Sequence, residues 1–120
     1  MSDQRKLYYL SSCSTCKKIM NGLGEKLAGF EIQDIKARPI SAEQVDEMKA
    51  LSGSYESLFS RRAQKYKLMD LANKELKEED YRSLIIEEYT FLKRPVFIVD
   101  GEIFVGNSPK VIEELETYLS

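Results

Sequence analysis

Two four-residue runs rich in β-branched and aromatic residues, Val96-Phe97-Ile98-Val99 and Glu102-Ile103-Phe104-Val105, stand on either side of Asp100-Gly101. Two-residue hairpin turns need positive φ at their central positions, which Asp and Gly tolerate, so this segment predicts a tight antiparallel hairpin. Ser108 and Pro109 follow with an N-cap side chain and a first-turn proline. They open a final helix whose apolar positions are Val111, Ile112, Leu115, Tyr118 and Leu119.

The opposite end of the chain has a different rhythm. Lys6-Leu7-Tyr8-Tyr9-Leu10 reads as a buried first strand that stops at Ser11-Ser12-Cys13-Ser14. From Thr15 to Leu27 the residues Ile19, Met20, Leu23 and Leu27 recur at helical spacing, in a helix weakened by Gly22 and Gly24. Phe30 to Ile35 then alternates apolar and polar residues, the pattern of a half-buried strand, so the order is strand, helix, strand and a parallel crossover is expected. Pro39 interrupts the chain, and Ser41 with Gln44 forms a capping box for a helix reaching about Leu51, ended by Ser52-Gly53-Ser54. Between Tyr55 and Tyr89, two or three short helices fit the spacing of Leu58 and Phe59, Leu68 and Leu71, then Tyr81, Leu84, Ile85 and Tyr89. The order is βαβ, a helical insert at approximately 41–90, then ββα. We therefore expect an α/β protein with a thioredoxin-like fold and a mixed four-stranded sheet, residues 1–120 forming a single domain.

Composition narrows the function. Eighteen basic and twenty acidic residues nearly cancel, so no global field draws the chain to nucleic acid or to an anionic membrane. Met1-Ser2-Asp3-Gln4-Arg5-Lys6 lacks the pattern of an export signal, no apolar run approaches the roughly 18 residues of a membrane span, and a cytoplasmic location is expected. Histidine is absent, which excludes imidazole catalysis and His-containing metal sites. The two cysteines, three positions apart, are too few for the framework of a secreted mini-domain.

Those cysteines carry the chemistry. At a strand-to-helix junction the sulfur of Cys13 meets the unpaired N–H groups and positive dipole end of the helix, which favour thiolate over thiol. Cys16 returns to the same face one turn later, close enough to close a disulfide and act as a resolving thiol. The competing readings are weaker. Buried structural cysteines would be inert, a zinc site needs two more ligands, and a bridge closing so short a loop removes little unfolded-state entropy. No metal is expected.

Arg94-Pro95 stands immediately before the hairpin, at the kind of bond where cis peptides occur, although base rates alone favour a trans proline starting a strand. Arg61, Arg62, Lys65 and Lys67 read equally as a solvated basic face or as an anion site. Tyr8, Tyr9 and Tyr66 read as packing, and Glu75 to Asp80 as an exposed helical face.

Taken together, Tyr8-Tyr9-Leu10-Ser11-Ser12-Cys13-Ser14-Thr15-Cys16-Lys17-Lys18, Leu58-Phe59-Ser60-Arg61-Arg62 with Tyr66, Lys93-Arg94-Pro95-Val96, and Val105-Gly106 with the last helix make a chain that resembles the arsenate reductase and Spx family over nearly its whole length. The resemblance implies a thioredoxin fold with a helical insert, Pro95 in cis, and Cys13 as nucleophile beside Arg94. Ser14, Thr15, Pro95, Arg61 and Arg62 are the expected substrate-binding residues. Reductases of this family attack arsenate with a single thiolate, hold the oxyanion with arginines, and return the cysteine through glutathione and glutaredoxin. Here Arg94 matches one arginine, Arg61 or Arg62 lies near a second, and the third position falls around Gly106 or Asn107. Cys16 is a further departure from the single-cysteine reductases. The Spx branch does carry a Cys-x-x-Cys switch and binds the C-terminal domain of the RNA polymerase α subunit, with Arg62 fitting the arginine near its disulfide. Such proteins usually continue into a basic tail, whereas Glu113 to Ser120 is acidic.

The function expected is a thiol–disulfide oxidoreductase of the arsenate reductase family. Cys13, Cys16 and Arg94 are catalytic, the substrate is a small oxyanion such as arsenate or a disulfide, and no cofactor is bound. Glutathione with glutaredoxin, or thioredoxin, serves as external reductant. The alternative is an Spx-like redox-sensing regulator that binds RNA polymerase.

Overall fold

The computed structural model describes residues 5–120, so the reading made on Met1-Ser2-Asp3-Gln4 lies outside the described residues. The chain divides into two compact units, one running through Arg38 and from Arg94 to Ser120, the other Pro39–Lys93.

The first unit contains β1 (Arg5–Tyr9), α1 (Ser14–Leu23), β2 (Glu31–Asp34), β3 (Val96–Val99), β4 (Glu102–Val105) and α5 (Pro109–Leu119). Its strands form one mixed four-stranded sheet, as the pattern of runs predicted, in the order β2-β1-β3-β4. β1 pairs with β2 in parallel and with β3 antiparallel, so that Leu7 lies beside Ile32 on one side and Phe97 on the other. The four residues of β3 are all buried, which is why that run is continuously apolar rather than alternating. Leu7, Phe97 and Val99 form one core with Leu23 of α1 and Leu115 of α5, each contributing roughly 1.5–3 kcal/mol by burial. Asp100 (φ 51°) and Gly101 (φ 90°) turn the hairpin with the left-handed conformations expected of them. Ser108 Oγ accepts the Val111 N–H at 3.3 Å and caps α5.

Two local expectations are corrected. The first helix does not reach Leu27: Gly24 has φ 52°, α1 ends at Leu23, and a 3₁₀ turn over Gly24–Leu27 carries Leu27 onto the same core. In β2 the apolar and polar faces are exchanged, with Ile32 45% exposed and Gln33 only 5% exposed. Residues 33 and 35 share a face of the strand, and Ile35 is fully buried, so Gln33 goes in with it. Its amide is satisfied there, because Nε2 donates to the Arg38 carbonyl at 2.8 Å.

The second unit is helical: α2 (Ala42–Ser52), α3 (Gln64–Leu68) and α4 (Glu78–Glu87), with 3₁₀ turns at Glu56–Leu58, Leu71–Asn73 and Tyr89–Phe91. The predicted Ser41–Gln44 capping box is formed, with both reciprocal bonds present. Phe59 is the hub of its core, with ring centroids 4.9 Å from Tyr81, 5.0 Å from Phe91 and 6.1 Å from Tyr66. Backbone bonds from Ser60 N–H to the Phe91 carbonyl (2.7 Å) and from Lys93 N–H to the Leu58 carbonyl (2.8 Å) tie together the segments around that hub. Asp46 of α2 accepts the Tyr55 hydroxyl at 2.6 Å and Arg82 Nε of α4 at 2.8 Å.

Candidate active site

The strand β1 delivers the chain into a turn in which the Cys13 N–H donates to the Leu10 carbonyl at 2.9 Å. Cys13 is thereby the N-cap of α1, with extended backbone (φ −94°, ψ 109°), and its carbonyl accepts the Lys17 N–H at 3.3 Å. No side chain caps this helix end, so the first-turn N–H groups are available to the sulfur of Cys13 itself. Ser14 and Thr15 are the exposed first helical residues, and Cys16 is buried. Both cysteines are free thiols, Cys13 half-buried and Cys16 fully so.

The two sulfurs differ in acidity. Burial pushes the Cys13 thiol up, but the Cys16 N–H, the Cys16 thiol, the Arg94 guanidinium and the Thr15 N–H together hold it below its ordinary value. Burial also pushes the Cys16 thiol up, and there it prevails, to about 11; the Leu10 backbone and Arg94 oppose the rise, while the Cys13 sulfur adds to it. One thiol ionises readily while its neighbour remains protonated and donates to it.

Arg94 is half-buried and Pro95 buried, and the peptide bond between them is cis. The Pro95 carbonyl accepts the Gly106 N–H at 2.9 Å, which pins the segment before β3 to the end of β4. Gly106, which with Asn107 brackets the position of the third arginine that the family resemblance implies and this chain lacks, has φ 91°, a conformation that disfavours a side chain there.

Cys13, Ser14, Thr15, Cys16, Arg94 and Pro95 thus belong to one unit of the structure, and Arg61 and Arg62 to the other. Arg61 donates to Glu56 at 2.8 Å and to the Tyr81 hydroxyl at 3.1 Å. Arg62 is exposed and, with Arg61, Tyr66 and Lys67, lines a concavity of about 490 Å³. Lys65 pairs with Glu88 at 3.4 Å. Among the described residues no group of three or more Cys, His, Asp or Glu side chains is placed to hold a metal ion.

One residue beside the cysteines escaped the sequence reading. Asp34, the last residue of β2, accepts the N–H groups of Ser11 and Lys36, each at 3.1 Å. An aspartate ending a strand next to the cysteine-bearing turn was the available signal, but alternation alone assigns it only to a face.

The family model for ArsC matches residues 8–115 of this sequence. The chain belongs to the ArsC family. Among relatives of this ArsC chain, the global transcriptional regulator Spx of Enterococcus faecalis is 26% identical over 101 residues, covering 83% of this chain and 76% of that protein. An ArsC family related protein from Bacteroides fragilis superposes with a TM-score of 0.80 at 24% identity, covering all of both chains. An arsenate reductase from Vibrio cholerae does so with a TM-score of 0.78 at 16% identity, over 95% of this chain and 98% of that one. These structural likenesses establish the mixed-sheet, thioredoxin-like fold of the ArsC family for this chain.

Proposed function

We propose that this ArsC-family protein is a thiol–disulfide oxidoreductase in which Cys13 is the nucleophile and Cys16 the resolving thiol. The observation that carries the reading is the divergence of the two thiols, Cys13 held below its ordinary value and Cys16 raised to about 11. In the first step the Cys13 thiolate attacks one sulfur of a substrate disulfide, forming a mixed disulfide and expelling the other substrate sulfur as thiolate, which takes a proton from water. Cys16 then loses its proton and attacks the Cys13 sulfur. The Cys13–Cys16 bond forms as the mixed disulfide breaks, the second substrate sulfur leaves as a thiolate that takes up the proton Cys16 released, and two electrons have passed from the protein to the substrate. External thiols, two glutathione molecules through glutaredoxin or one thioredoxin dithiol, reduce the Cys13–Cys16 disulfide and are themselves oxidised to a disulfide.

Arsenate is the second substrate class for the same thiolate. The charge repulsion between thiolate and oxyanion is offset by Arg94 and the first N–H groups of α1, with Ser14 and Thr15 at the helix entrance. Side-by-side turnover of arsenate and of a small mixed disulfide, with Cys13→Ser as control, tests the assignment. Loss of both activities in Cys13→Ser is expected, and full retention of either overturns the nucleophile.

The similarity to Spx supports a second reading, a redox-sensing regulator whose dithiol state controls contact with the RNA polymerase α subunit. Binding of the reduced and oxidised protein to that subunit separates the two. Equal or absent binding removes the regulator.

A further inference from the structure

We infer that Asp34 is a positioning residue for the nucleophile: its carboxylate holds the turn from which Cys13 is presented. The inference rests on Cys13 being the attacking thiol. Asp34 ends β2 directly beside Tyr9, the last residue of β1, and the ladder continues one step further through Ile35 N–H to the Tyr9 carbonyl at 2.9 Å. Beyond that point β1 has no strand partner to direct it. Instead, the Asp34 carboxylate takes the Ser11 N–H at 3.1 Å, and the same oxygen takes the Lys36 N–H at 3.1 Å.

The next bond along the chain is Cys13 N–H to the Leu10 carbonyl at 2.9 Å. These bonds run from the end of β2 to the nucleophile, and Asp34 supplies the one that spans from the second strand to the turn. The Ser11 N–H has a charged acceptor here, a stronger partner than a neutral one. Burial works against ionisation of Asp34, but the Ser11 hydroxyl, the N–H groups of Lys36 and Ser11, and the Lys36 charge keep its carboxyl below the usual carboxylate range, so it accepts as an anion at neutral pH.

A carboxylate near a thiolate also has a simple electrostatic effect, and its sign is opposite. Removing negative charge makes a thiolate easier to form, whereas loosening the turn withdraws the Thr15 and Cys16 N–H groups from Cys13 and makes it harder. The groups acting on Cys13 directly are Cys16, Thr15 and Arg94, while those acting on Asp34 are Ser11 and Lys36, so the two sets can be perturbed separately.

The test is the pH dependence of Cys13 alkylation by iodoacetamide in the reduced full chain, for the wild type, Asp34→Ala and Asp34→Asn. Asp34→Ala should raise the midpoint by about 0.5–1 pH unit, the scale of one net hydrogen bond. Asp34→Asn keeps a carbonyl acceptor for the Ser11 N–H and should stay within about 0.3 unit of the wild type on the same scale. An unmoved or lowered midpoint in Asp34→Ala overturns the inference. Amide exchange of Ser11 in the wild type gives a second reading independent of any variant's folding: protection is expected, and exchange at the rate of an open loop overturns it. A wild-type midpoint at the free-thiol value of about 8.5 instead defeats the nucleophile reading itself.

Discussion

Replacing Cys16 with alanine separates the helix end from the neighbouring thiol as sources of Cys13 reactivity. The Cys16 N–H survives this change, but the Cys16 thiol, which also lowers the Cys13 value, does not. A hydrogen bond to a charged group contributes roughly 1.5–3 kcal/mol when shielded. Cys13 is half-buried, so solvent screening reduces this to about 1 kcal/mol. At 1.36 kcal/mol per pH unit, the Cys13 midpoint should rise by about 0.7 unit, leaving roughly fivefold less thiolate below the midpoint. Cys16→Ser retains an O–H donor and should stay near the wild type. The assay is iodoacetamide alkylation of the reduced proteins between pH 5 and 9, a window in which Cys16, at about 11, does not titrate. A midpoint in Cys16→Ala equal to or below that of the wild type refutes the claim that the second thiol assists the first.

Three further outcomes follow from the packing and the charges. Phe59→Ala should cost about 3–5 kcal/mol in urea unfolding, because the ring is fully buried against three others; a loss below about 1 kcal/mol would contradict its place at the hub. Asp46 is held at about 2 by hydrogen bonds from Arg82 and Tyr55, below its ordinary 3.8, so its contribution is complete above about pH 4 and is lost as pH falls through 2; Asp46→Asn should flatten acid unfolding in that window, and an unchanged profile would exclude the clasp. Gly101→Val should destabilise the hairpin by roughly 1–2 kcal/mol, since φ is 90° there, and a neutral result in thermal melts would mean that the turn relaxes.

The parts of the fold legible from sequence are those fixed by local chemistry. The β3–β4 hairpin is bounded as expected because Asp100 and Gly101 accept positive φ, and α2 and α5 begin where Ser41 and Ser108 provide acceptors. What was misread depends on neighbours. Gly24 was visible as a weak point in the first helix, but only its positive φ of 52° shows that α1 stops there while Leu27 still packs. The face of β2 was inverted because a polar Gln33 becomes acceptable inside once the Arg38 carbonyl meets it. At the candidate site, the Cys13–Cys16 pair stood out by residue type and spacing, whereas Arg94-Pro95 was singled out by the family resemblance. Asp34 did not, since its partners are backbone N–H groups that no side-chain motif announces.

The most direct test is mass spectrometry of reduced protein treated with oxidised glutathione. In Cys16→Ser a glutathione adduct should accumulate on Cys13, while the wild type should release glutathione and end as the intramolecular Cys13–Cys16 disulfide. An adduct on Cys16 in Cys13→Ser forming as fast as that on Cys13, or no adduct on Cys13 at all, would contradict the assignment.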